Sequence, residues 1–247
     1  MANRYNIKEL ILYIEALFLA AGMDADKSAI VAQLLVEADL MGHTTHGIAQ
    51  APAYLSGLEN GLMLGTGNPI TVSDRGATIT WDGQRICGVW LTAMAIDLSV
   101  DRAKKYGTAT MAIRRSGHIA CLAAFLTRAT DKGCMIELAS SDPSIVSVAP
   151  YGGTKPAFTP NPIAIGIPTN KNPILIDISA SITTNGLTGR LFSEGKKLPG
   201  DWVQDKSGRA TNDPSVLFTE PPGTILPIGG KEYGHKGFGL ALMIEAL

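Results

Sequence analysis

Four histidines each sit beside a glycine: Gly42-His43, His46-Gly47, Gly117-His118 and Gly234-His235. Histidine is the side chain that gains and loses a proton near neutrality, and an adjacent glycine marks a turn or a place where backbone comes close to a ligand. One such histidine alone reads as a surface loop residue. Four in similar settings point to proton transfer. His43 and His46 also have the spacing of a metal pair. However, no Cys lies close by in sequence and no acid is nearer than Asp39, so the expected metal complement is none. Gly47 directly follows His46, which makes His46 the expected reactive member and His43 the structural one.

Other stretches could assist. Arg114-Arg115-Ser116-Gly117-His118 ends a strand pattern and opens a helix pattern. Ser116 is the expected cap, the helix N-terminus an anion site, and Arg114 or Arg115 a carboxylate partner. His118 is placed there to exchange a proton with a hydroxyl or carbonyl. Asp142 in Ser140-Ser141-Asp142-Pro143 could orient a histidine or bind a hydroxyl, and it also reads as a plain turn residue. Asn161-Pro162 and Asp177-Ile178-Ser179-Ala180-Ser181 flank strand patterns with small polar groups suited to a ribose or an amide.

These residues need a scaffold. Apolar positions at helical spacing predict helices over 7–21, capped by Asn6, and 26–41, stopped by Gly42. A third helix follows Gly47 and carries Pro52, Tyr54, Leu55 and Leu58. Short strands are expected at 70–73 and 77–81, joined by a turn with Asp74 and Gly76. A helix over 90–106 ends at Gly107. A strand at 108–113, a helix at 119–130 and strands at 135–140, 163–167 and 173–178 follow. Residues 150–162 and 187–227 read as long loops of the functional kind. The expected division is a helical part, 1–68, and an α/β part, 69–247. No G-x-G-x-x-G joins a strand to a helix, and Gly237-Phe238-Gly239 lacks the third glycine, so the α/β part is not of the Rossmann type.

Composition narrows the partners. The 247 residues carry 21 basic and 22 acidic side chains, and no basic stripe exists to follow a nucleic-acid backbone. Only 17 % of residues are charged, below the usual quarter, which favours surface covered in an oligomer. The N-terminus has no signal-peptide core and no apolar run spans a membrane. Cys87, Cys121 and Cys134 are far apart and read as reduced thiols, in keeping with the cytoplasm. The terminal stretch 236–247 reads as an apolar helix cut without a cap, which raises the prospect of an inactive or unfolded fragment.

Six motifs in order resemble the type-2 malate/L-lactate dehydrogenase family: Asp39-Leu40-Met41-Gly42-His43-Thr44-Thr45-His46-Gly47, Ser116-Gly117-His118, Ala149-Pro150-Tyr151-Gly152-Gly153, Asn161-Pro162-Ile163-Ala164, Asp177-Ile178-Ser179-Ala180-Ser181 and Gly234-His235-Lys236-Gly237. The family includes ureidoglycolate and sulfolactate dehydrogenases, diketogulonate reductases and cyclic-imine reductases. The resemblance implies an α/β fold with a helical N-terminal domain and a non-Rossmann NAD(P)-binding domain, its largely antiparallel mixed sheet flanked by helices. It also implies a homodimer acting on a small 2-hydroxy or 2-oxo acid with NAD or NADP. By analogy His46 lies beside the nicotinamide, His118 is the acid/base and Asp142 the acid near it. Ala120, Cys121, Leu122, the segment Leu175-Ile176-Asp177-Ile178-Ser179 and His235 match cofactor contacts. Many members have Arg where this chain has Gln50, so Gln50, Arg114 and Arg115 are the expected substrate contacts. Members also continue past Leu247 with further helix and loop. The expected activity is reversible hydride transfer between NAD(P) and a 2-hydroxy acid. The alternatives are cyclic-imine reduction or ureidoglycolate oxidation and, from another class, a His43/His46 metal hydrolase.

Overall fold

The computed structural model describes residues 4–247 and divides them into two compact units. The first holds the chain up to Ile136 together with Ile165–Leu175. The second holds Glu137–Ala164 and Ile176–Leu247.

The first unit begins with α1 (Ile7–Ala20) and α2 (Ala25–Leu40). Asn6 caps α1 as expected, its side-chain oxygen accepting from the Lys8 and Glu9 N–H groups. Gly42 takes a left-handed φ of 88° after α2, and the His43 N–H returns to the Ala38 carbonyl at 2.9 Å. This closing of orphan carbonyls gives His43 a structural job. A turn of 3-10 helix, Ile48–Gln50, leads into α3 (Ala51–Glu59). Then β1 (Ile70–Asp74) pairs antiparallel with β2 (Thr78–Asp82), across a turn in which Asp74 accepts from the Gly76 N–H. The long α4 (Gly88–Tyr106) stops at Gly107, φ 86°, and returns the chain to β3 (Thr110–Arg114), parallel to β2. The β2–α4–β3 crossover therefore puts the C-terminal ends of two parallel strands, Asp82 and Arg114, side by side. Phe18, Val31, Leu35, Leu91, Phe125 and Leu126 are among the fully buried side chains of the first unit.

The helix expected at 119–130 is shorter. α5 spans Ala123–Thr130, and Ser116 does not cap it: its hydroxyl donates to the Gly117 carbonyl. The reason lies in the backbone conformation. Arg115 and Ala120 hold left-handed φ values of 53° and 55°, which interrupt any helix across 115–122.

The next strands, β4 (Ile136–Ala139), β5 (Pro162–Ile167) and β6 (Ile174–Ser179), form a three-stranded sheet in that order. Because β3 belongs to another sheet, β3–α5–β4 is not a βαβ unit. The second unit packs Val148, Phe158, Ile163, Ala180, Leu198, Val203, Ile225, Ala241 and Ile244 into one core. The stretch 187–227 is not a loop throughout. It carries most of α6 (Asn185–Ser193), then β7 (Val203–Gln204) between β8 (Ala210–Thr211) and β9 (Thr224–Ile225), and a 3-10 segment, Pro214–Phe218. Strands of two residues leave no periodic pattern to read. Closing the chain is α7 (Gly230–Ala246). The fold is thus mixed helix and small antiparallel and mixed sheets, as expected, with the strands in three sheets.

One close approach controls the first unit. Gly88, the first residue of α4, lies so near the Gly117–His118 peptide that a Cβ there would enter the Gly117 carbonyl. Gly88→Ala is therefore expected to lower stability by roughly 1–3 kcal/mol, the usual cost of overpacking, read as a fall in Tm. An unchanged Tm would contradict this contact.

Candidate active site

His46 and His118, 72 positions apart, meet in the first unit with ring centroids 6.0 Å apart and planes 26° apart. The loop carrying His46 is tied at several points. Asp39, near the end of α2, accepts from the Ile48 N–H at 2.8 Å, and its carboxylate occupies the space where a Gly47 side chain would start. This requires glycine after His46. Thr45 Oγ1 is 2.9 Å from His46 Nδ1, and Gln50 Nε2 donates to the Thr45 carbonyl at 2.7 Å. Gln50 thus braces the turn that presents His46.

His118 is held from the other side. Tyr54, on α3, is 4 % exposed, and its hydroxyl lies 2.8 Å from His118 Nδ1 and 3.2 Å from the His118 carbonyl. The Ala120 N–H donates to the same Nδ1 at 3.3 Å. A backbone N–H can only donate, so it favours a bare Nδ1 and a proton on Nε2 in the neutral ring. Burial pushes the Tyr54 phenol well above its ordinary pKa, so it remains protonated through the neutral range. Tyr54 can serve either ring state. It donates to a bare Nδ1, or accepts from a protonated Nδ1 while its own proton goes to the His118 carbonyl. Nearby, burial raises the Cys87 thiol to about 11, which makes it an inert packing group.

Arg114 and Arg115 turn toward Asp82. Arg115 approaches its carboxylate through Nε at 2.9 Å and Nη2 at 2.6 Å, and Arg114 through Nε at 3.2 Å. The forks expected to meet substrate are therefore shared with an internal acid. Ala120, Cys121 and Leu122 are buried.

In the second unit the other motifs converge. Ala180 donates its N–H to the carbonyls of Pro160 and Asn161 and accepts from the Ile228 N–H. A Cβ on Gly237 would strike the Ile228 backbone and the Ala180 carbonyl. Tyr151 lies edge-on to His235, centroids 5.6 Å apart. Asn161 is fully buried, and its Nδ2 donates to the Ala241 carbonyl and to Glu245 Oε1, which also accepts from Ser141 Oγ. Asp142 beside it is exposed and accepts from the Ser144 N–H and hydroxyl. Along β6, Ile176 and Ile178 are exposed and alternate with half-buried Leu175, Asp177 and Ser179.

The profile of the malate/L-lactate dehydrogenase family matches residues 5–247. The chain belongs to that family. It is 30 % identical to the L-sulfolactate dehydrogenase of Methanothermobacter thermautotrophicus over 245 residues, 99 % of this chain and 69 % of that enzyme. It is also 30 % identical to the Δ1-pyrroline-2-carboxylate/Δ1-piperideine-2-carboxylate reductase of Pseudomonas syringae pv. tomato, over 97 % of this chain and 68 % of the relative. The crystal structure of malate dehydrogenase from Entamoeba histolytica superposes with a TM-score of 0.93 at 26 % identity, covering 99 % of this chain and 70 % of that one. The chain thus spans about two thirds of the length of the proteins it matches. None of these comparisons supports the metal hydrolase.

Sequence reasoning passed over Tyr54, Asp82 and Gly88 as site residues. Tyr54 left one usable signal: a phenol on the apolar face of a helix must find a partner for its hydroxyl.

Three outcomes follow from this geometry. Tyr54→Phe is expected to lower kcat about tenfold with little change in KM, the value of one hydrogen bond of ~1.4 kcal/mol, measured by steady-state kinetics. Ala120→Gly removes a left-handed alanine and should raise stability by about 1 kcal/mol, seen as a higher Tm; a lower Tm would contradict the strain. The third concerns acid. Hydrogen bonds from Arg115 hold the Asp82 carboxyl at about 2, below the ordinary 3.8. Its contribution is present above the ordinary value and is lost as pH falls through the folded one. Acid unfolding of Asp82→Asn should therefore depend less on pH between roughly 4 and 2 than that of the parent protein.

Proposed function

We propose that this protein catalyses reversible NAD(P)-dependent hydride transfer between a 2-hydroxy acid of the malate or lactate type and its 2-oxo acid, with His118 as the proton donor and acceptor. The observation that carries the reading is the Tyr54–His118–Ala120 arrangement beside His46, found in a chain whose named relatives act on hydroxy acids and cyclic imino acids.

The residues present fit a nicotinamide dinucleotide. Asp177 and Ser179 share the half-buried face of β6 and offer oxygens suited to ribose hydroxyls, while the exposed Ile176 and Ile178 lie on the opposite face. Ala120, Cys121 and Leu122, which lead into the first turn of α5 at Ala123, are the stretch this reading gives to the cofactor. With Leu175 and His235 these are the cofactor contacts of the reading. When bound, the nicotinamide supplies or accepts the hydride.

The protein's own part is proton transfer. In reduction, a protonated His118 gives its Nε2 proton to the carbonyl oxygen. Its Nδ1–H is then held by Tyr54 Oη, whose hydrogen turns to the His118 carbonyl. In oxidation His118 takes the hydroxyl proton at Nε2 only after its ring proton has passed from Nε2, where the Ala120 N–H favours it at rest, to Nδ1, where Tyr54 Oη accepts it. In this reading His46, with Nδ1 set against Thr45, would face the nicotinamide when it is bound. Gln50 and the two arginines remain the substrate contacts of this reading, with Arg114 and Arg115 offering donors not spent on Asp82. The reading also includes a homodimer in the cytoplasm. Among the described residues no helix is long and apolar enough to cross a membrane, and none of the three cysteines is in a disulfide.

Cyclic-imine reduction is the second reading, favoured by the Pseudomonas relative and by Gln50, which is neutral and cannot form the bidentate charged pair of an arginine. NADH and NADPH assays against a panel of 2-oxo acids and cyclic imino acids separate the two. His118→Asn should cut turnover by at least ~10²-fold. Full turnover in that variant would move the role to His46.

A further inference from the structure

We infer that Asp82 is a positioning residue for His118: its carboxylate locks the segment Arg114–His118 against Gly83–Gly88 and so fixes the imidazole on Tyr54 and Ala120. The inference rests on the acid/base role of His118 proposed above.

Asp82 ends β2, beside Arg114 at the end of β3 in parallel register. Its side chain is 5 % exposed, yet it collects donors from both sides of the crossover. From the β3 side come Arg115 Nε and Nη2, and Arg114 Nε. From its own side come the Gln84 N–H at 3.1 Å and Gln84 Nε2 at 2.7 Å. A carboxylate has about four lone-pair sites, so this one is saturated. Arg115 binds it through two nitrogens of one fork, which fixes orientation as well as distance.

The two segments are also laced by backbone. Gly83 donates to the Arg114 carbonyl at 2.8 Å, Arg85 to the Arg115 carbonyl at 2.7 Å, and Gly117 to the Ile86 carbonyl at 3.0 Å. The 83–86 turn closes with an Ile86 N–H to Gly83 carbonyl bond and holds Gln84 and Arg85 at φ 52° and 61°. Arg115 is left-handed as well. Three non-glycine residues thus stay in a conformation that costs each roughly 1–2 kcal/mol, and Asp82 bonds to two of them. Gly88 at the end of the lacing abuts the Gly117–His118 peptide. From Asp82 to His118 there is no slack: any relaxation at Arg115 moves the peptide that sets the His118 ring. In chemical terms, Asp82 never meets substrate. It determines which nitrogen of His118 carries the proton at rest.

The test is imidazole 15N spectroscopy on the protein labelled in its four histidines, assigned by single substitutions and joined to kinetics. In the parent, neutral His118 should show a bare Nδ1 and a protonated Nε2. Asp82→Asn should move that signal toward a mixture of tautomers and lower kcat at least ~10-fold, with KM changing less. Asp97→Asn is the control, because it breaks ion pairs with Arg128 and Lys132 in the same unit without touching this lacing. It should leave the His118 signal and kcat unchanged. If Asp82→Asn does not fold, Arg115→Lys keeps the charge, loses the fork, and should shift the same signal. An unmoved His118 signal in these variants overturns the inference, as does an equal shift in Asp97→Asn. Failure of the acid/base reading is distinct: His118→Asn would then retain turnover, while the tautomer shift would still report the lock.

Discussion

A buried phenol must have a partner, and Tyr54 takes His118. Much of the first unit can be read from that one contact. The hydroxyl comes from α3, which exists only because the chain turns sharply after α2, and that turn is held by Asp39 on the Ile48 N–H and by Gln50 on the Thr45 carbonyl. The imidazole comes from the segment after β3, which cannot become helix while Arg115 and Ala120 are left-handed. Two histidines far apart in sequence are brought into ring contact as a by-product of satisfying one hydroxyl. The same contact explains how His118 could work in both directions of a hydride transfer, since a phenol is both donor and acceptor while a backbone N–H is only a donor.

The second unit follows a different constraint, close packing of backbone. Gly237 exists as glycine because α7 passes directly over Ala180 and Ile228, and Asn161 is sealed beneath it with a bond to the Ala241 carbonyl. Four of the five motif stretches there are joined by this packing: 140–142 through Ser141 and Glu245, 161–163 through Asn161, 177–181 through Ala180, and 234–237 through Gly237. Such stretches look unrelated along the chain because what connects them is three-dimensional.

Legibility in the sequence followed the range of the interaction. Caps and stops are local, so Asn6, Gly42 and Gly107 announced their helices to within a residue or two. The histidines with glycine neighbours were visible because His46-Gly47 and Gly117-His118 are local too. The early end of regular structure at 115–122 was not visible, since Ser116 offers a good cap by type and only the tertiary setting forces Ala120 to a left-handed φ. Asp82 was silent for the same reason: an acid at a strand end reads as surface until two arginines from a parallel neighbour arrive on it. The short strands β7, β8 and β9 lie below the length at which alternation can be seen. The family itself came from the order of six motifs, because spacing and composition reached no further than a reactive histidine.

The account stands on direct hydride transfer with a proton from His118, and the most direct measurement follows the hydrogen itself. Incubating the protein with NADH or NADPH deuterated on the transferring face and with a 2-oxo acid should yield a 2-hydroxy acid carrying one deuterium at C2, detected by mass spectrometry. Product without deuterium, or no reaction with any 2-oxo or cyclic imino acid while deuterated cofactor remains intact, would contradict it.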